Sequence, residues 1–169
     1  RKFSASLMEK MKPLENEYKL HKSTTGELML TPVYSSKLTY TKKKLQPGQP
    51  SFTEFSIENK SVAQPMHFII TSMDEAISDI RFELNGFKTL TLPITIEKGQ
   101  TLKYTGGAEA LLYDTHWQLL KQVPVNSSNL QSEPGKMKLQ FDCRFAGNSE
   151  ESKVKLEILF YGQTEKLAG

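Results

Sequence analysis

The chain has 169 residues, a net charge of +3, 24% charged and 37% hydrophobic side chains, and a single cysteine. That length suits one domain with its own core, and the low apolar content fits a fold whose strands are wet on one face. One cysteine excludes an internal disulfide, so small a charge makes no case for nucleic acid, and no run of 18 apolar residues is present to span a membrane as a helix.

The chain starts at Arg1 rather than Met, as a processed protein or an excised fragment would. From Arg1 to Leu20 the apolar residues Phe3, Leu7, Met8, Met11, Leu14 and Tyr18 recur at steps of three and four, the helical period. Pro13 cannot continue a helix but opens one well, so two short helices are expected. Met8, Met11 and Leu14 would form an apolar stripe, packed either on the chain's own body or on another domain. Residues 1–22 are therefore read as a helical linker or appendage, and 23–169 as the main domain.

Strand signals follow. Glu27–Tyr34 is a candidate that Pro32 confines to an edge or bend. Ser36–Leu45 is a second, running into Lys42, Lys43 and Lys44, a basic cluster read as a solvated edge or turn. Ser51–Glu58, Gln64–Ser72 and Ile77–Leu84 alternate apolar with polar residues. Asn85-Gly86 is the best hairpin signal, since both residues accept the positive φ that a two-residue turn demands. Phe87–Ile94, Thr101–Thr105, Glu109–Asp114 and Trp117–Val123 come next, then a loop from Pro124 to Gly135. Lys136–Ala146 and Lys153–Tyr161 alternate most cleanly and are read as an antiparallel hairpin joined through 146–152. About ten short strands at turn spacing, with no helical pattern between them, predict an all-β fold: an antiparallel β-sandwich of jelly-roll type with a short N-terminal helical segment.

Reactive constellations are sparse. His21, His67 and His116 have no paired ligand spacing, so no zinc site is expected. No other cofactor is implied, and a structural calcium held by loop oxygens stays open. No G-x-S-x-G elbow occurs. Cys143 shares the apolar face of its strand and is read as a buried, inert thiol. Glu83, Glu109, Asp114 and Glu157 lie on or beside strands, where alternation sends most of them to solvent rather than into a hydrolytic pair. Gly106-Gly107 lacks the Lys-Ser/Thr and helix of a phosphate loop. Asn59-Lys60-Ser61 and Asn126-Ser127-Ser128 match glycosylation sequons, which matter only in a eukaryotic secretory route.

The segment from Tyr104 to Trp117 concentrates recognition chemistry. Sugar rings have apolar C–H faces and hydroxyl edges, so a flat aromatic with polar neighbours meets both needs. Trp117 with Tyr104, Tyr113, His116 and Asp114 could form such a platform. The competing reading puts Trp117 in the core, since it alternates with Leu119.

Lys98-Gly99-Gln100-Thr101-Leu102-Lys103-Tyr104, the Tyr113-Asp114 pair with Trp117 after it, and Pro134-Gly135 leading into Leu139-Gln140-Phe141 resemble ancillary β-sandwich domains of polysaccharide-degrading enzymes from Bacteroidetes-type bacteria, whose cores resemble the galactose-binding-like jelly roll. The likeness spans Ser51 to Tyr161 and carries over no binding residue. It implies a non-catalytic, secreted or periplasmic module whose partner is carbohydrate or an adjacent catalytic domain. The alternative is a protein–protein interaction or scaffold domain.

Overall fold

The alternation of the sequence becomes β1 (Tyr18–Lys22), β2 (Leu28–Thr41), β3 (Thr53–Asn59), β4 (Gln64–Pro65), β5 (His67–Ser72), β6 (Ile77–Leu84), β7 (Lys88–Leu92), β8 (Thr101–Tyr104), β9 (Glu109–Tyr113), β10 (Leu119–Pro124), β11 (Gln131–Ser132), β12 (Gly135–Phe145), β13 (Lys153–Tyr161) and β14 (Glu165–Lys166). These come from a computed structural model that describes residues 18–22, 25–44, 47–48 and 50–166.

The larger sheet runs β1-β2-β13-β5-β8-β9-β10, with β14 beside β2, and the smaller runs β3-β12-β6-β7. The pairings are nested: β2 with β13, β3 with β12, β5 with β8, β6 with β7. That is the order obtained by folding one long hairpin over two sheets, a jelly roll. The hairpin β9–β10 is an addition that widens the larger sheet beyond β8.

Nested pairing overturns the expected hairpin between the two strongest strands. β12 pairs with β3 and β6, while β13 pairs with β2 and β5 in the other sheet. Residues 146–152 arch between the sheets. Alternation tells which side of a strand is buried, and both strands do face the same core. It does not tell in which sheet each strand lies.

β2 is continuous over 14 residues rather than broken in two. Pro32 marks a change of partner. Val33–Thr41 pair with β13, whereas β1 pairs with Leu28–Pro32, and the Pro32 carbonyl accepts the Gly162 N–H at 2.7 Å. Residues 18–22 of the expected helical appendage are thus strand. The rest of it, with Met8, Met11 and Leu14, lies outside the described residues. The Asn85-Gly86 turn forms with φ of 52° and 78°, closed by the Phe87 N–H donating to the Leu84 carbonyl at 3.2 Å.

Aromatic rings stitch the sheets together. Phe68 from β5 meets Phe82 from β6 at 5.0 Å, Phe82 meets Phe141 from β12 at 5.2 Å, and Tyr40 from β2 meets Phe141 edge-on at 5.0 Å. Cys143 is buried, and burial, aided by the Asp142 and Glu75 carboxylates, pushes its thiol up to about 12. A thiol so placed stays protonated at neutral pH.

At one end a carboxylate clips the joints. Glu75, in the β5–β6 loop, accepts hydrogen bonds from the Gly147 N–H and the Ser152 hydroxyl, and faces Lys42 Nζ at 3.4 Å. Lys42 also donates to the Gly147 carbonyl at 2.8 Å. Partial burial raises the Glu75 pKa, but the hydrogen bonds and the Lys42 charge outweigh it and hold the carboxyl below its ordinary value.

Candidate ligand-binding face

The added hairpin carries Trp117, one of two strongly exposed aromatics among the described residues; the other, Phe87, stands on the β6–β7 turn of the smaller sheet. At its tip Asp114 Oδ1 accepts the backbone N–H of His116 at 2.8 Å and of Gln118 at 2.9 Å. The Asp114 carbonyl accepts the Trp117 N–H at 3.1 Å, and the Asp114 N–H reaches the Gln118 carbonyl at 3.0 Å. An Asp that binds backbone groups two and four residues on is a turn maker. Within this turn Trp117 takes φ of 61°, a left-handed conformation that is an outlier for a bulky residue. Its side chain is 67% exposed. The indole lies 6.0 Å from the Tyr113 ring, inclined by 56°. The core reading of Trp117 is therefore corrected. The turn ends before Leu119, so the two residues are not on one strand face, and β10 is an edge that the smaller sheet does not cover.

The five platform candidates separate. Trp117 and Tyr113 are adjacent, Asp114 shapes the turn that presents Trp117, and His116 is exposed on the same turn. Tyr104 is not part of the group. It is wholly buried, pairs across from Phe68, and its hydroxyl donates to the Gly107 carbonyl at 2.9 Å. Burial raises its pKa.

From this aromatic pair a row of outward side chains crosses the larger sheet. Directly paired residues of antiparallel strands share a face. Tyr113 is paired with Leu119 on one side and Thr101 on the other, Thr101 with Thr71, Thr71 with Lys155, and Lys155 with Thr39. The next row contains Leu111, Lys103, Ile69, Glu157 and Lys37. Strands stand about 4.8 Å apart, so β2 to β10 spans roughly 24 Å. At the β2–β13–β5 end the face dips into a hollow of about 320 Å³ lined by Lys37, Thr39, Ile69, Thr71, Lys155 and Glu157. Outside this hollow, further along β5, His67 walls the sheet, its ring edge-on to Tyr161 at 4.7 Å and against Gly106. His67 Nδ1 is 3.2 Å from the Leu159 carbonyl, and burial lowers its pKa, which keeps it neutral.

Sequence reading did not find Lys37, Thr39, Ile69, Thr71, Lys103 or Lys155. Alternation marks them as outward, but only strand pairing brings them into rows. The candidate carboxylates do not share one face: Glu83 lies beside Arg81 on the smaller sheet, while Glu109 and Glu157 belong to the larger. Among the described residues no three His, Cys, Asp or Glu side chains gather as a metal-ligand set, and no helix is long and apolar enough to cross a membrane. No family model, curated protein or solved structure matches the chain.

Proposed function

We propose that the chain is a non-catalytic carbohydrate-binding module that seats a glycan against Trp117 and Tyr113, in a secreted or periplasmic polysaccharide-degrading system. The observation that carries this is the tryptophan itself. A large apolar ring stands 67% in solvent at φ of 61°, on a turn held by Asp114. Such a conformation costs about 1–3 kcal/mol, and residues held this way cluster at binding sites. In the row that continues from Tyr113, Thr39, Thr71 and Lys155 supply partners for sugar hydroxyls, while Thr101 is buried and bonded to Thr71 at 3.2 Å, and the ring supplies the apolar wall.

Trp117 is the only tryptophan, so its fluorescence reports directly on the platform. Titration with a panel of soluble polysaccharides should shift the emission to the blue and retard the protein in affinity gels. Trp117→Gly should weaken binding about thirtyfold or more, the effect of losing an aromatic anchor. It should leave stability unchanged or raise it by up to about 1 kcal/mol, because glycine accepts the left-handed conformation. A clear fall in melting temperature would mean that the ring serves the fold instead. Unchanged emission and mobility with every polysaccharide would remove the glycan reading.

One observation favours a second reading. Leu119 and Leu120 are 50% and 46% exposed on the outermost strand of the larger sheet. An edge of that kind can dock a protein partner by strand addition. The same titration separates the two, since strand addition at β10 needs no polysaccharide and leaves Trp117→Gly with its partner.

A further inference from the structure

Resting on that glycan reading, we infer that the ligand is an acidic polysaccharide, lying across the strands from the Trp117–Tyr113 pair to the hollow at Lys37 and Lys155. The larger sheet turns Lys37, Lys103, Lys153 and Lys155 outward, against Glu109 and Glu157. None of these four lysines makes an ion pair among the described residues, although Lys37 and Glu157 are direct register partners. Lys103 lies between the aromatic pair and the hollow, one strand from Leu111 and one from Ile69. Lys155 stands in the same row as Tyr113, with Thr71 and Thr101 between them.

The smaller sheet is the internal reference. Its outer face presents Glu54, Glu58, Glu83 and Asp142 together with Arg81, Lys136, Lys138 and Arg144, four carboxylates against four cations. Lys136 is the register partner of Glu58 and Asp142 of Arg81, as Lys37 is of Glu157 on the larger sheet, but only the smaller face also closes ion pairs, Lys138 with Glu54 and Arg81 with Glu83, each at 3.9 Å. One fold thus neutralises one outer face and leaves excess ammonium on the other, beside its exposed tryptophan. Cations in excess of carboxylates along a track with an aromatic stop fit a repeating anion with sugar-like faces. A neutral glycan would use the threonines and the rings and leave the lysines without a role.

The test is affinity electrophoresis and Trp117 fluorescence with polygalacturonate, its methyl ester, alginate, dextran sulfate, a neutral xyloglucan and duplex DNA. The expected result is binding to at least one acidic polysaccharide, weakened by 0.5 M NaCl. Lys103→Gln with Lys155→Gln should weaken it about fivefold to tenfold, while Lys136→Gln on the opposite face should leave it intact. Comparison of polygalacturonate and alginate with dextran sulfate assigns the anion as carboxylate or sulfate ester. Binding of neutral xyloglucan or the methyl ester as tight as that of any acid overturns this inference and leaves the glycan reading standing. Equal loss from Lys136→Gln, no loss from the lysine pair, or equal binding of DNA also overturns it. No binding to any polysaccharide overturns both.

Discussion

The two outer faces of the sandwich are built by the same alternation over the same core, yet they are finished differently. The smaller sheet balances its charges, four carboxylates against four cations, with Lys136 opposite Glu58, Asp142 opposite Arg81, and ion pairs between Lys138 and Glu54 and between Arg81 and Glu83. The larger sheet pairs threonines with lysines and ends in a tyrosine and a tryptophan. Cross-strand neighbours of opposite sign stabilise a sheet modestly. Where such neighbours are absent, the side chains remain available to something outside the molecule. A face whose lysines make no ion pairs among the described residues is the better place to look for a ligand than a face whose charges do.

Three perturbations sharpen that contrast. The largest effect is expected at the wall of the larger sheet. Gly106 has φ of +94°, and a Cβ there would stand 2.6 Å from His67 Nε2. His67 is pinned by Leu159 and Tyr161 and cannot swing away. Gly106→Ala should therefore cost about 2 kcal/mol or more, through strain and overcrowding together. Chemical denaturation measures this, and a loss below about 0.5 kcal/mol would show that the wall yields.

The second is the clip that fixes the ends of both sheets. Glu75→Gln keeps the shape but removes the charge facing Lys42, and should cost about 1 kcal/mol at neutral pH. The Glu75 carboxyl is held below its ordinary 4.5 in the fold. Its contribution is complete above that value and fades as pH falls through the lower folded value. The stabilities of wild type and Glu75→Gln should therefore converge on acidification. A gap that stays constant down to about pH 3 would contradict the assignment. His67 adds a separate slope. Its folded pKa lies below the ordinary 6.5, so the unfolded chain takes up its proton first, and stability falls as pH drops below 6.5.

The smallest effect is on the matched face. Glu54 and Lys138 are 46% and 61% exposed at 3.9 Å, and a double-mutant cycle should give a coupling under about 0.5 kcal/mol. A larger value would mean that this face is held more rigidly than its exposure implies.

Much of this architecture can be read from the residues alone. Lys153–Ile158 and Ile80–Leu84 alternate because each has one buried face, and Asn85-Gly86 names its own turn. Other features are set by long-range pairing and are silent in the sequence. The different sheets of β12 and β13 follow from their partners, β3 and β2, whose paired residues lie 76–88 and 112–128 positions earlier. The rows on the larger sheet join Lys37, Lys103 and Lys155, which no local pattern connects. Trp117 misleads because it stands two residues before Leu119. The correcting signals were present: Asp114 heading a turn, and Leu119-Leu120, an adjacent apolar pair that breaks alternation. Here β10 slips register against β9. Tyr104 shares parity with Leu102, which already points it inward.

The position of β13 has a consequence for biosynthesis. This strand lies between β2 and β5 and is made long after both. An emerging chain would hold two bare edges facing an empty slot until residue 161 had left the ribosome. Contacts of such sequence separation form slowly, and open edges in the interval invite pairing between chains. Production of this protein would thus be governed by how long the slot stays vacant, and slower synthesis through residues 153–161 would be expected to lower the soluble yield even though the finished fold is unchanged.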